Sequence, residues 1–269
     1  MGQETSKSVK IDIQRIIGAS KPILITIEGT PSNQLQTSTC YAHALAPAIY
    51  MALKTRRIDD LNLQTADRLP SIDEIRGMII CLFPYPSSWR DYSQLWRTVT
   101  KLYPHLDWHE IRLSQHMPYK TLMQGRPVYV GLTLSRGDGL FLGRFFRHNL
   151  WSILTRLKYH WYRMQPKYVH EPQPGDKKWC HAVLWTGWDP GIGVCPFLNS
   201  WGPNWGNNGS FQVEDIDLLR EMPGAELRFF DVYCPEPKGN IDEPKKHGSK
   251  LKENLDKWRR ANGRTSKSA

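Results

Sequence analysis

The 269-residue sequence contains no run of about 18 apolar residues, so it offers no transmembrane helix. Its N-terminus, Met1 to Lys10, lacks the apolar stretch of a secretory signal. A cysteine framework is also missing. The five cysteines (Cys40, Cys81, Cys180, Cys195 and Cys234) are odd in number, show no ladder spacing and include no CxxC pair. This is the usage of free thiols in a reducing compartment, and the chain reads as cytoplasmic and not secreted. Metal ligation has little to work with. Cys180 and His181 are adjacent and cannot readily serve one ion. His109-Glu110 starts like a zinc-peptidase motif, but Leu113 stands where the second histidine belongs. No metal and no cofactor are expected.

Acidic residues are scarce in two places. The net charge is +10, and the last 34 residues, Glu236 to Ala269, hold ten Lys/Arg against five Asp/Glu. That tail is poor in aliphatics and reads as disordered. It has the character of a segment that touches RNA, a membrane surface or an import receptor, or simply stays solvated. No nucleic-acid-binding motif accompanies it, and nucleic acid is not an expected partner. No Asp or Glu occurs between Gly139 and His170.

Along the chain, Lys21 to Gly29 is β-branched and reads as a strand. A turn-rich loop, Thr30 to Thr39, leads to an alanine-rich helix starting near Cys40, with Pro47 about two turns inside. Ser71 and Glu74 form a capping-box pattern ahead of a helix. Trp89, Tyr92, Trp96, Val99 and Leu102 recur at helical spacing, as a buried stripe does. Trp108 to Leu113 suggests a short strand and Arg126 to Leu134 a strong one. Further strands follow around His181, Phe197 and Phe211, separated by Gly, Pro and Asn clusters. A helix-rich first half and a strand-rich second half give an α+β chain with two lobes. The expected organisation is an N-terminal extension at 1–20, a helix-rich lobe at 21–117, a strand-rich lobe at 118–235 and the tail at 236–269.

The residues that carry chemistry are few. A thiol attacks a carbonyl as thiolate, so it needs a helix N-terminus and a histidine nearby. Cys40 stands at a helix start. Gln34 lies six residues before it, His181 lies 141 residues after it, and Asn199 opens the run Asn-Ser-Trp-Gly-Pro-Asn-Trp-Gly-Asn-Asn-Gly. Each has an ordinary reading alone: Gln34 as a loop residue, His181 as a core histidine, Asn199 as a turn cap, Trp201 and Trp205 as core. Their joint occurrence in this order and spacing favours a common site.

That constellation resembles the papain-like cysteine peptidases, the papain, cathepsin and bleomycin-hydrolase type. Asn199 through Gly209 match the family's Asn-Ser-Trp-Gly-x-x-Trp-Gly-x-x-Gly signature at every fixed position. The Cys40-to-His181 spacing falls within the family's range of roughly 130–150 residues. The resemblance covers residues 22–55 and 118–215; between 56 and 117 it is limited to helical character. It implies a two-lobe papain-like fold, with a helical lobe carrying the Cys helix and an antiparallel, barrel-like lobe carrying His and Asn. It implies Cys40 as nucleophile, His181 as its ion-pair partner and acid/base, and Asn199 as the group orienting the imidazole. Trp201 would cover the His–Asn bond, and Gln34 would donate to the oxyanion beside the Cys40 N–H.

The departures are informative. Thr37-Ser38-Thr39-Cys40-Tyr41 replaces the family's usual Cys-Gly-Ser-Cys-Trp, and no propeptide is expected ahead of Cys40. A glycine-rich cleft segment is not visible between 60 and 105. Cys180 beside His181 reads as a packed thiol or a redox-sensitive neighbour. An apparent insertion spans 141–170, where Phe146, Leu150, Ile153, Leu157, Trp161 and Met164 fall on one helical face among basic residues. Such a helix lies on a membrane interface, docks a partner or packs on its own domain. Met1 to Ser6 matches an N-myristoylation pattern that would place a lipid on Gly2, and the insertion or tail would supply a second membrane signal. The Asn208-Gly209-Ser210 sequon should stay bare. The resulting expectation is a cysteine-type peptidase acting on peptide or protein substrates. The alternatives are a non-catalytic scaffold that binds a membrane or protein, and acyl transfer to an amine acceptor.

Overall fold

The computed structural model describes residues 22–27, 29, 31–35, 37–55, 69–83, 92–113, 117–148, 153–164, 178–189 and 191–235. Gly2, Trp89, Leu150, the N-terminal extension and the basic tail lie outside them. The chain adopts the expected mixed α+β class, with seven helices and nine strands among the described residues. Two compact units emerge, one formed by 1–44 with 110–231 and the other by 45–109 with 232–269.

In the first unit, β1 (Ile23–Leu24) pairs antiparallel with β6 (Gly187–Trp188). The main sheet has the order β2 (Asp107–Ile111), β9 (Glu226–Tyr233), β3 (Val128–Leu134), β5 (Trp179–Trp185), β7 (Cys195–Leu198), β8 (Ser210–Val213), β4 (Ile153–Leu154). Strand β3 is buried at all seven positions, as suits a run of β-branched and apolar residues flanked by neighbours on both edges. Its register against β5 sets Leu132 opposite His181 and Gly131 opposite Ala182. Strand β5 continues the placement, with Trp185 opposite Phe197 on β7, so that Asn199 follows directly on the end of β7. A part-buried ion pair ties the unit together: Arg126 Nε and Nη2 donate to the two carboxylate oxygens of the buried Asp231 at 3.0 and 2.7 Å.

Helix α1 (Cys40–Thr55) opens in this unit and contains Pro47. Residues 41–49 are all buried, which explains why the helix is apolar on every side rather than striped. Helices α4 (Met117–Met123) and α7 (Ile216–Arg220) complete the unit with the two helices of the insertion.

The insertion differs from the single amphipathic helix its spacing suggests. Helix α5 (Arg136–His148) ends before β4, and α6 (Arg156–Arg163) follows it. The break has a physical cause: Ile153 and Leu154 pair in parallel with Gln212 and Val213 at the sheet edge, which imposes extended backbone in mid-segment. The buried face of α5 is Phe141, Leu142, Phe145 and Phe146, and Phe146 packs on Trp205 and Phe211 at centroid distances of 5.7 and 5.0 Å. Thus α5 packs on its own domain. On α6, Tyr159 is buried and donates to Asp138 Oδ1 at 3.0 Å, while Leu157, Trp161 and, just past its end, Met164 are exposed.

In the second unit, α2 (Ile72–Leu82) carries the expected capping box: Ser71 Oγ accepts from the Glu74 N–H, and Glu74 Oε2 accepts from the Ser71 N–H at 2.8 Å. Helix α3 (Tyr92–Leu102) buries Leu95, Trp96, Val99 and Leu102; Trp96, Val99 and Leu102 belong to the predicted stripe, Tyr92 is half-buried, and Leu95 joins the buried face. Trp96 stacks on Trp108 at 4.9 Å.

Candidate active site

All five residues singled out by the sequence fall in the first unit. Cys40 is the first residue of α1 and is 2% exposed. The Thr39 carbonyl accepts from the N–H groups of Ala42 and His43, closing the first helical turn. The backbone N–H groups of Ala182, Tyr41 and Cys40 lie near enough to the Cys40 sulfur to favour its thiolate. Two of these are the otherwise unsatisfied donors of a helix start, and the third comes from β5, one residue past His181. The helix N-terminus and the histidine strand therefore meet at the sulfur. Burial pushes the thiol up to about 12, and the three N–H groups pull the other way.

His181 is 4% exposed. Its Nε2 lies 2.6 Å from Asn199 Oδ1. The Ser200 backbone N–H also points to Asn199 Oδ1, at 2.7 Å. A backbone N–H can only donate, so it fixes that atom as the amide oxygen, and an amide oxygen can only accept. The imidazole must therefore carry its proton on Nε2 when neutral, leaving Nδ1 as the ring's acceptor. Burial pulls the imidazole down to about 4, against the Asn199 hydrogen bond, which favours the protonated form. Burial thus acts against charge on both groups, raising the thiol and lowering the imidazole.

Gln34 is brought to the same place by backbone pairing of the 31–35 loop with the Asn199 motif. Gln34 N–H donates to the Ser200 carbonyl at 2.8 Å, Gly202 N–H to the Ser32 carbonyl at 3.0 Å, and Asn33 bridges Trp201. The Gln34 side chain accepts from Ser200 Oγ through Oε1 and donates through Nε2 to the Thr37 carbonyl at 2.9 Å. Trp201 stacks on the imidazole with centroids 4.8 Å apart and an interplanar angle of 29°.

Two neighbours were not anticipated. Trp179 packs on the imidazole at 5.0 Å; it lies two residues before His181 on a strand, and the period-2 alternation could have placed it on the same face. Ser200 holds both Asn199 and Gln34, and its position inside the motif was the available signal. Helix α5 braces this aromatic cluster. A Cβ on Gly139 would stand 2.4 Å from Trp179 ring atoms, Gly143 faces Trp201, and Trp205 Nε1 donates to the Gly143 carbonyl at 3.2 Å. The cluster borders a cavity of about 520 Å³. Among the described residues there is no grouping of His, Cys, Asp or Glu suited to a metal ion, and no helix is long and apolar enough to cross a membrane.

Comparison with family models and with curated protein sequences returned no match. Among solved structures, the chain is similar to xylellain, a cysteine protease from Xylella fastidiosa, at 16% identity and a TM-score of 0.46, over 83% of this chain and 90% of that one. It is similar to the Carica candamarcensis cysteine protease CMS1MS2 at 11% identity and a TM-score of 0.37, over 78% and 95% of the two chains. A structure from work on the mite allergens Blo t 1 and Der p 1 aligns at 16% identity and a TM-score of 0.40, over 83% and 77%. At these identities and scores, assignment of the site rests on its own residues.

Proposed function

We propose that the chain is a papain-like cysteine peptidase that hydrolyses amide bonds through Cys40. The observation that carries this reading is the hydrogen-bonded His181–Asn199 pair, whose Ser200-fixed amide leaves Nδ1 free to accept a proton, on the strand whose Ala182 N–H acts on a cysteine at a helix start. As a peptide carbonyl approaches, the Cys40 proton passes to His181 Nδ1 and the sulfur bonds to the carbonyl carbon. The oxyanion accepts from the Cys40 backbone N–H and from the second Nε2 hydrogen of Gln34, whose first is held by Thr37. Collapse breaks the C–N bond, and His181 returns its proton to the departing amine. A water then gives a proton to His181 and its oxygen to the thioester carbon, releasing the acid and restoring the thiol. Asn199 holds the ring in register throughout, and Trp201 and Trp179 keep water from the His–Asn bond. Peptides or proteins are the expected substrates.

Labelling with an epoxide or vinyl-sulfone thiol probe tests the reading. Wild type should label stoichiometrically and Cys40→Ala should not; equal labelling of the two sinks the catalytic assignment.

One observation favours a second role. Leu157 and Trp161 on α6 and Met164 just past its end are exposed at i, i+4 and i+7, an apolar stripe on a helix without acids. In this reading α6 rests on a membrane surface at the cytoplasmic face, with a lipid on Gly2 as the other anchor. Co-sedimentation with anionic vesicles that is equal for wild type and Trp161→Ser would remove α6 from that role, and an unmodified Gly2 in native material would remove the lipid.

A further inference from the structure

The cavity beside the imidazole has a charge that the peptidase chemistry does not explain. It holds about 520 Å³ and is lined by Trp179, Trp201 and Trp205, by the loop residue Leu35 and by Arg144 and Arg147 from α5. Among the described residues no Asp or Glu lines it. Trp179 and Trp201 are the two rings packed on His181, so the cavity lies one ring's breadth from the group that protonates the departing amine. That is the side on which the leaving segment of a substrate must lie.

Arg144 and Arg147 are three residues apart on a helix, neighbours on its surface that repel each other. Among the described residues neither has a carboxylate partner. Their rigid forks present several N–H donors toward the same space, a geometry suited to a carboxylate. Leu35 adds the apolar part of the site. It is 75% exposed and holds φ 54, a left-handed conformation that costs a leucine energy. Asn33 Oδ1 accepts from its N–H at 2.9 Å, and the Asn33–Trp201 bridge anchors the turn. An exposed leucine held in this way supplies a contact for the aliphatic stem of a leaving-side residue.

We infer that this cavity is an anion-selective subsite, in which Arg144 and Arg147 bind a carboxylate on the leaving side of the scissile bond. The carboxylate is either an acidic side chain or the substrate's own C-terminus. The inference rests on the peptidase reading for its orientation, and its test is built to fail separately from that reading.

The full chain carrying Cys40→Ala, which turns nothing over, is titrated with Ala-Ala-Glu and Ala-Ala-Gln, each as free acid and as carboxamide, with tryptophan fluorescence as the readout. At least one carboxylate-bearing peptide should bind about tenfold or more tightly than Ala-Ala-Gln carboxamide, the scale of a charge-assisted hydrogen bond. Preference for Ala-Ala-Glu carboxamide identifies a side-chain carboxylate, and preference for Ala-Ala-Gln free acid identifies the terminus. The advantage should fall within about threefold when Arg144→Gln and Arg147→Gln are added singly and together, changes at exposed positions that leave the fold intact. Equal binding of all four peptides, no measurable binding, or a preference that survives the double change overturns the inference. Loss of Cys40-dependent probe labelling with the carboxylate preference intact overturns the peptidase reading instead.

Discussion

The buried imidazole makes a quantitative claim about stability. Burial lowers the folded His181 to about 4 from an ordinary value of 6.5. The unfolded chain therefore takes up a proton at this position before the folded chain does. Its contribution is fully present above pH 6.5 and is lost as the pH falls through 6.5 toward 4. A shift of 6.5 to 4 corresponds to about 3 kcal/mol at the acid limit, of which about 2 kcal/mol is lost between pH 7 and pH 5. His181→Gln is the informative comparison, because a glutamine keeps an N–H for Asn199 Oδ1 and carries no titrating group. Urea unfolding of both proteins at pH 7 and pH 5 gives two pH-dependent losses, and subtracting them removes the other histidines and the carboxylates to the extent that they act independently. Wild type should lose about 2 kcal/mol more than the variant over this interval. Equal losses would refute the claim that His181 is neutral and desolvated in the folded protein.

Other perturbations follow from single contacts. Asn199→Ala leaves the buried Nε2–H without its acceptor and should cost about 1–3 kcal/mol in urea unfolding, with a fall in Cys40 labelling rate. Gly139→Ala puts a methyl 2.4 Å from Trp179 ring atoms and should destabilise by about 1–3 kcal/mol, whereas Gly143→Ala meets Trp201 at an ordinary 3.6 Å and should be neutral or stabilising; thermal melts of the two variants check the contrast. Arg126→Ala strands the buried Asp231 carboxylate and should cost about 3–5 kcal/mol, while Arg126→Ala with Asp231→Leu should recover part of the loss.

The local elements were legible because local chemistry specifies them. The Ser71–Glu74 box, the Trp96 stripe and the β3 run are each decided by residues within a few positions of one another. The site was legible for a different reason: its motif is long and its residues are chemically unusual together. What the sequence withheld is tertiary. Spacing alone sets Ile153 on a helical face, but Ile153 and Leu154 sit where the edge of β8 offers hydrogen bonds, and the ladder overrides the period. Lys21 to Gly29 reads as a strand throughout, yet among the described residues the ladder is limited to Ile23 and Leu24 against β6, with Ile25 N–H donating to the Thr186 carbonyl just beyond it at 2.7 Å. The role of α5 as a brace behind Trp179 and Trp201 depends on Gly139 allowing close approach, and nothing local marks Gly139 as facing an indole.

The state of the Cys40–His181 pair is set by a competition that only the folded arrangement reveals. A helix start and a histidine favour a thiolate, and both are present. Yet the sulfur and the imidazole are almost wholly shielded, and shielding acts against charge on each: it raises the thiol to about 12 and lowers the imidazole to about 4. The three N–H groups at the sulfur and the Asn199 oxygen are the devices that oppose this, and they are already in place. The Asn199 acceptor that favours a charged imidazole is thus already made, while burial favours the neutral form of each group. In the proposed mechanism the proton moves within this pair as the substrate carbonyl arrives, when the Gln34 amide meets the developing oxyanion and adds polar stabilisation.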